Sequence, residues 1–181
     1  MSELQRFLAP DQDLMVGLFY RVGRWMSDAD DSDSNDKSEQ REEAQMFSIL
    51  TKLSQSKNAG ALCNEIAAES LRQKGSWARW SKQNDKVIDD VTKAKSVIKG
   101  QATNEEFHLF GKCLVSIATS VARAYREASD VEMEKTGILG WLCEKKNDVA
   151  MAVFDPQAHK DLNVSPAEDS ALTELMDALK G

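Results

Sequence analysis

Apolar residues recur at intervals of three and four along almost the whole of this 181-residue chain, which is the spacing of one face of an α-helix. No stretch alternates convincingly between polar and apolar residues, as a half-buried β-strand would. Nine glycines and three prolines are few structure breakers for a chain of this length. The pattern therefore predicts an all-α fold.

The apolar stripes predict seven to eight helices joined by short loops, with no linker that would divide the chain. We expect a single all-helical domain over residues 1–181, a bundle in which residues 1–10 form a loose N-terminal arm. Gly17 and Gly23 fall in the first predicted helix and would let another helix approach closely. The helices are expected over about residues 11–26, 37–53, 59–73, 77–99, 103–128, 129–142, 149–154 and 165–179.

Capping boxes mark three of the predicted helix starts. In a capping box, a Ser or Thr side chain accepts a hydrogen bond from the backbone N–H three residues later, and a Glu at that later position bonds back to the first backbone N–H. The pairs with this spacing are Thr103 and Glu106, Ser129 and Glu132, and Ser165 and Glu168. Pro166 also suits the first position of a helix.

The charge balance excludes some classes of partner. The chain has 23 Lys and Arg against 30 Asp and Glu, a formal net charge of −7. Duplex nucleic acid and anionic membrane surfaces attract basic faces, so neither is expected as the main partner. An acidic chain suits cations or basic partner surfaces.

Further sequence features predict a cytoplasmic protein. No apolar run is long enough to span a bilayer, so an integral membrane protein is not expected, and the N-terminal residues lack a signal-peptide pattern. Cys63, Cys113 and Cys143 are odd in number, widely spaced and embedded in helical patterns. We expect small buried cysteines of a reducing compartment, not a disulfide framework or a zinc site.

The segment from Ser27 to Glu43 is the one place where the sequence indicates a binding site. Six acids fall between Asp28 and Glu39, with one lysine among them and no apolar residue larger than alanine. From Asp28 onward, oxygen-bearing side chains have the spacing of positions 1, 3, 5, 7, 9 and 12 of a calcium loop. The residues at these positions are Asp28, Asp30, Ser32, Ser34, Asp36 and Glu39.

The match to an EF-hand is incomplete. The sixth position, where glycine permits a sharp turn, is Asp33, and the eighth, usually apolar, is Asn35. We therefore reject an EF-hand proper and keep a divalent cation, calcium first, as the predicted cofactor. The candidate ligands are Asp28, Asp30, Ser32, Asp33, Asp36 and Glu39. The alternative is a solvated acidic turn whose Asp and Ser side chains bond to their own backbone.

Several short motifs resemble those of a known family. Residues 23–30, Gly-Arg-Trp-Met-Ser-Asp-Ala-Asp, precede Lys37-Ser38-Glu39, and residues 117–124 read Ile-Ala-Thr-Ser-Val-Ala-Arg-Ala. With the start of the last predicted helix at 163–168, these motifs resemble the TerB-like tellurite-resistance family, which is all-helical. Here the first turn is longer and lacks the family's glycine, and Arg126-Glu127 replaces its second Asp-Gly.

The resemblance implies a non-catalytic function. The acidic turns of the TerB-like family are associated with divalent cations, and members of the family join stress-response assemblies near the membrane. The resemblance implies that this chain is a cytoplasmic cation-binding or adaptor protein in tellurite or other chemical-stress resistance. Its partners would be proteins, including those of a membrane-associated complex. The family repeats its acidic turn in its second half, but Arg126-Glu127 stands here where the family places Asp-Gly. We therefore interpret Glu127, Asp130 and Glu134 as the acids of an ordinary helix start and not as a second cation site.

Catalytic motifs are missing from the sequence. His108 and His159 are the only histidines, and each is better explained as a packed or surface side chain than as a base. The chain has no phosphate-binding glycine loop, nucleophile elbow or paired-histidine metal motif. We do not expect an enzyme.

Trp77 and Trp80 support a second hypothesis. They lie three residues apart on one predicted helix face, among the basic residues Arg72, Lys74, Arg79 and Lys82. Core packing is the expected role of the two indoles. The alternative is a basic and aromatic face with which a metal-free helical module would bind a protein partner or a membrane interface.

Overall fold

The computed structural model of the chain describes residues 2–29, 36–127 and 165–180, with the backbone alone at 36–42 and 123–127. These ranges contain helices and no strand, so the all-α prediction is confirmed. The α-helices are α1 (Ala9–Ala29), α2 (Asp36–Ser54), α3 (Ala61–Arg72), α4 (Trp77–Trp80), α5 (Val87–Gln101), α6 (Asn104–Glu127) and α7 (Pro166–Leu179).

The predicted count of seven to eight helices is not confirmed. Within the described ranges six α-helices are longer than ten residues, and α4 is a single turn. The helices predicted over 129–142 and 149–154 lie outside the described residues.

Helix α1 is the centre of the bundle. Every residue from Met15 to Gly23 is buried, so this part of the helix is enclosed on all sides. The other six α-helices of the described chain all pack against α1. The predicted stripe of α6 is also confirmed, because Phe110, Leu114 and Ile117 are buried. The core is therefore built by the other helices around α1.

Two glycines of α1 permit this close packing, as the sequence predicts. A Cβ atom at Gly17 would lie 3.3 Å from the indole of Trp80, and one at Gly23 would lie 2.2 Å from the sulfur of Met46. Neighbouring helices therefore approach the α1 backbone at both positions.

The single helix predicted over 77–99 is wrong. Helix α4 gives way to a 3-10 segment, Ser81–Lys86, before α5 begins, and Gln83 has non-helical backbone angles (φ −117°, ψ 22°). Residues 81–86 include no apolar side chain that could hold a straight helix against the core. Ser and Asn also compete with helix hydrogen bonds, and the Ser81 hydroxyl donates to the carbonyl of Ala78 at 3.1 Å.

The N-terminal residues pack against the bundle, which corrects the predicted loose arm. Leu4 and Phe7 are buried, and a 3-10 turn (Leu4–Arg6) leads into α1. The backbone N–H of Leu4 donates to Glu65 Oε2 at 2.9 Å, and the Ser2 hydroxyl donates to the same oxygen. Burial raises the pKa of Glu65, but the hydrogen bonds from Leu4, Ser2 and Glu3 outweigh it and lower that pKa.

Two of the three predicted capping boxes are confirmed. The backbone N–H of Thr103 donates to Glu106 at 2.8 Å, and the backbone N–H of Glu106 donates to the Thr103 hydroxyl at 3.2 Å. Ser165 and Glu168 form the same reciprocal pair at the start of α7. Ser129 and Glu132 lie outside the described residues.

Candidate functional site

A cleft of about 370 Å³ opens where the C-terminal end of α1 meets α5 and α7. Trp25 and Ile88 are partly buried and give the cleft apolar surface. The lining residues are Trp25, Asp28, Asn84, Asp85, Ile88, Asp89 and Glu174. Four carboxylates therefore share one cleft, and each comes from a different element: α1, the 3-10 segment, α5 and α7.

Asp28 connects this cleft to the acidic segment of the sequence. It lies in the last turn of α1, and one carboxylate oxygen is 3.2 Å from the Arg24 guanidinium. The other oxygen accepts a hydrogen bond from the Asn84 amide at 2.5 Å. Asp28 is thus held in place, with one cation beside it.

The other three carboxylates of the cleft are not neutralised by the protein. Asp85, Asp89 and Glu174 are exposed, and within the described parts of the chain none of them forms an ion pair. The Asn84 side-chain oxygen is buried and has no hydrogen-bond partner. The exposed carboxylates of the cleft therefore offer negative charge to a cationic group.

An ion pair beneath the cleft fixes α1 against α5. The Arg21 guanidinium, one turn before Trp25, is 2.7 Å from the Asp90 carboxylate, and Arg21 is 3% exposed. Burial raises the pKa of Asp90, but hydrogen bonds from Arg21 and Lys93 outweigh burial and lower that pKa. Asp90 therefore stays ionised at neutral pH and holds the two helices that line the cleft.

The structure places only part of the predicted cation site. Asp30, Ser32 and Asp33 lie outside the described residues, and Asp36 and Glu39 are described by their backbone alone. Asp36 and Glu39 occupy the first turn of α2, where the positive end of the helix dipole favours carboxylates. Since α1 ends at Ala29 and α2 begins at Asp36, the helices predicted on either side of the acidic segment are confirmed.

No compact metal centre is found among the described residues. In those ranges, no three His, Cys, Asp or Glu side chains are grouped so that they could hold a metal ion. The cleft carboxylates surround a space instead of converging on one point. The acids interpreted as a helix start, Glu127, Asp130 and Glu134, lie outside the described side chains, since Glu127 is described by its backbone alone and Asp130 and Glu134 are not described.

Trp77 and Trp80 belong to the core, which confirms the packing prediction for the two indoles. Trp77 is 1% exposed and Trp80 is 5% exposed. The ring of Trp77 stacks on Tyr20 with centroids 4.6 Å apart, and its indole N–H donates to the carbonyl of Ser70 at 3.0 Å. The proposed basic and aromatic face is therefore wrong in its aromatic part, because the indoles point away from solvent.

The basic residues near these tryptophans do remain at the surface. Arg72, Lys74, Arg79 and Lys82 are exposed. Arg72 pairs with Glu69 at 2.5 Å, and Lys74 lies 3.6 Å from Glu43 and above the ring of Phe47. Two of the four charges are thus already matched by neighbouring carboxylates.

Sequence reasoning missed Asp85, Asp89 and Glu174. Asp85 and Asp89 are acids four residues apart, a spacing shared by any solvated helix face. Glu174 is far from both in the sequence. Only the packing of α1, α5 and α7 brings the three side chains together with Asp28.

No helix in the described ranges has both the length and the apolar content needed to cross a membrane. Comparison with known proteins gives no match to a family model, to a curated protein or to a solved structure.

Proposed function

We propose that this chain is a non-catalytic cation-binding protein whose site begins at Asp28. The observation that supports the proposal is that Asp28 belongs both to the acidic segment and to the cleft. It is the first carboxylate of the acidic segment and it also lines the acidic cleft. A divalent cation, with calcium as the first candidate, would take its ligands from Asp28, Asp30, Ser32, Asp33, Asp36 and Glu39.

The cleft would favour such a cation electrostatically. Asp85, Asp89 and Glu174 add three carboxylates near Asp28, and Arg24 is the cation that pairs with Asp28 there. Uncompensated charges of one sign in a concave surface raise the local concentration of counter-ions. The cleft acids would therefore strengthen cation binding without coordinating the ion.

The biological role that we propose is the one implied by the TerB-like motifs. In that role the chain is a cytoplasmic adaptor in tellurite or other chemical-stress resistance and binds protein partners, including a membrane-associated complex. A cation bound between α1 and α2 would fix the angle between those two helices. Support for this role comes from the sequence motifs alone.

A second candidate function is protein recognition without a metal. The binding surface would be the cleft and not the face predicted around Trp77 and Trp80. Trp25 and Ile88 provide apolar surface beside the carboxylates. An aromatic ring next to carboxylates suits the aliphatic stem and charged head of a lysine or arginine. In this case the cleft would bind a basic side chain of a partner protein.

Calcium titration of the full chain tests the first proposal. Binding to the native state should raise the melting temperature as calcium increases, and at 100 times the dissociation constant the stabilisation would be about 2.7 kcal/mol. Isothermal titration calorimetry should show the same site. The double variant Asp30→Asn/Glu39→Gln should lose both signals.

Two further variants distinguish the candidates. Asp85→Asn/Asp89→Asn/Glu174→Gln should weaken calcium binding several-fold without abolishing it, and should abolish the binding of a short oligoarginine peptide. Asp13→Asn/Glu105→Gln/Asp169→Asn removes three exposed carboxylates that do not line the cleft, and is the control for net charge. No melting shift at millimolar calcium, with no calorimetric binding, would refute the cation proposal. Peptide binding that survives the cleft variant would refute the second candidate.

A further inference from the structure

The segment from Ser2 to Phe7 lies against the outside of the bundle as a strap. Its 3-10 turn packs against α1 and α3. Leu4 and Phe7 are its apolar anchors, with exposed fractions of 7% and 3%. Leu8 alone joins the strap to α1, which begins at Ala9. The strap is therefore a small unit that a single residue connects to the bundle.

Hydrogen bonds fix the strap to a surface formed by α1, α3 and the start of α6, which we call the seat. Glu65 of α3 accepts hydrogen bonds from the Ser2 hydroxyl and from the backbone N–H of Leu4. The Gln12 amide of α1 donates to the carbonyl of Phe7 at 2.7 Å. Both ends of the strap are thus held by side chains of the seat.

An ion pair adds a third fixing point. The Arg6 guanidinium lies 2.5 Å from the Glu106 carboxylate in the first turn of α6, and Glu3 of the strap lies 3.1 Å from the same guanidinium. The side chains of Arg6 and Glu106 are 33% and 20% exposed. Because both keep contact with water, the pair can separate without leaving a buried charge behind.

The junction between the strap and α1 exposes apolar surface. Leu8, Ala9 and Pro10 are all exposed, and Leu8 is 70% exposed. In the described part of the chain, Leu8 and Phe47 are the large apolar residues that are exposed. Packing within one chain therefore leaves an uncharged apolar tip in water at the point where the strap begins.

We propose that two copies of this chain exchange their straps, so that the strap of each copy lies in the seat of the other. The exchanged straps would make the contacts already described, because every strap and every seat has the same residues. Only the junction would change, and a connection of one residue is of the short kind that invites such an exchange.

The exchange would also cover the apolar tip. A strap in the partner's seat ends where the partner's own junction begins, so the two Leu8 side chains come close to the two-fold axis. Each would then bury apolar surface against the other, which a single chain cannot do. This burial is what would favour the dimer.

The dimer would leave the acidic cleft open. The strap lies at the N-terminal end of α1 and the cleft lies at the C-terminal end, and a helix of 21 residues is about 30 Å long. Each copy would therefore present its own cleft. The exchange does not depend on what the cleft binds.

Sedimentation equilibrium of the full chain gives the first test. A strap that is joined to its own seat has a high effective concentration there, so the monomer should dominate in dilute solution. The dimer should increase between micromolar and millimolar protein. The variant Leu4→Ala/Phe7→Ala loses both anchors and should lose the dimer, whereas Gln5→Ala, at an exposed strap position, should keep it.

Reversal of the ion pair tests whether the strap is the exchanged part. Arg6→Glu or Glu106→Arg alone puts like charges together in the monomer and in its own dimer. In an equal mixture of the two variants, opposite charges meet only when the straps are exchanged between different chains. Native mass spectrometry should therefore show heterodimers several-fold above the random share, and several-fold more dimer in total than either variant forms alone.

The double variant Arg6→Glu/Glu106→Arg is the matched control. It also lacks the capping bond from Glu106, but it restores opposite charges within one chain. Mixed with the unchanged chain, it should form heterodimers several-fold below the random share, because those straps would meet like charges. Circular dichroism of each variant should show unchanged helix content.

Three results would overturn the proposal. The first is a chain that stays monomeric at millimolar concentration. The second is a dimer that survives Leu4→Ala/Phe7→Ala, and the third is heterodimers at the random share in both mixtures. Either of the last two would mean that the copies associate through another surface.

Discussion

Replacing Trp77 with phenylalanine should destabilise the fold markedly, because the indole N–H completes the end of another helix. The last four carbonyls of a helix have no partner within it. In α3 the carbonyl of Ser70 is one of them, and it accepts the indole N–H of Trp77 at 3.0 Å. Ser70 is fully buried, so little water is available to replace that bond.

The magnitude follows from two contributions. A buried acceptor that loses its partner costs about 1–3 kcal/mol. The smaller phenylalanine ring keeps the stack on Tyr20 but leaves a gap. Complete removal of a buried tryptophan side chain costs about 3–5 kcal/mol. Since Trp77→Phe removes only part of that side chain, the gap accounts for about 1 kcal/mol. We therefore expect Trp77→Phe to lower the free energy of unfolding by about 2–4 kcal/mol.

Urea unfolding followed by far-ultraviolet circular dichroism measures this change. Arg79→Ala, at an exposed position of the same turn, is the control and should lie within about 0.5 kcal/mol of the unchanged chain. A loss below about 0.5 kcal/mol for Trp77→Phe would refute the reasoning, because that is the result expected for an indole on the surface.

Two other predictions concern stability. Gly60→Ala should destabilise the fold by about 1–2 kcal/mol, since φ is 78° and the new methyl group would lie 2.7 Å from Leu109. Gly100→Ala in α5 has open space around it and should stabilise the fold by about 0.5–1 kcal/mol. Thermal melts that rank the two variants the other way would contradict this prediction. The backbone hydrogen bond from Thr103 lowers the pKa of Glu106 below its ordinary 4.5, so its stabilisation should be complete above that pH and be lost as the pH falls through the folded-state value. Urea unfolding between neutral and acidic pH should show a shallower acid loss for Glu106→Gln, and an unchanged slope would argue against the assignment.

The parts of the fold that the sequence predicts correctly depend on neighbouring residues. The stripe of α6 is visible because residues three and four apart share one helix face. The capping boxes of α6 and α7 are likewise visible because their bonds join residues three apart. The 77–99 prediction failed at Gln83, where polar residues that suit an exposed helix face equally suit a 3-10 bend.

The candidate site shows the same division. Asp28 is visible because it belongs to a dense acidic segment. Asp89 and Glu174 are ordinary exposed acids until α5 and α7 are placed beside α1. Burial of Cys63 and Cys113 was predicted from their helical surroundings and is confirmed.

The sequence by itself determined the helical character of the described residues, several helix starts and the burial of Cys63 and Cys113, because each of these depends on residues within one or two helical turns. Only the tertiary structure decided that α1 is central and that Trp77 completes α3. Those contacts depend on how the helices cross, and the crossing is set by the fit of side chains from distant parts of the chain. The acidic segment therefore indicated where a cation site could begin, and the packing of α1, α5 and α7 supplied the cleft beside it.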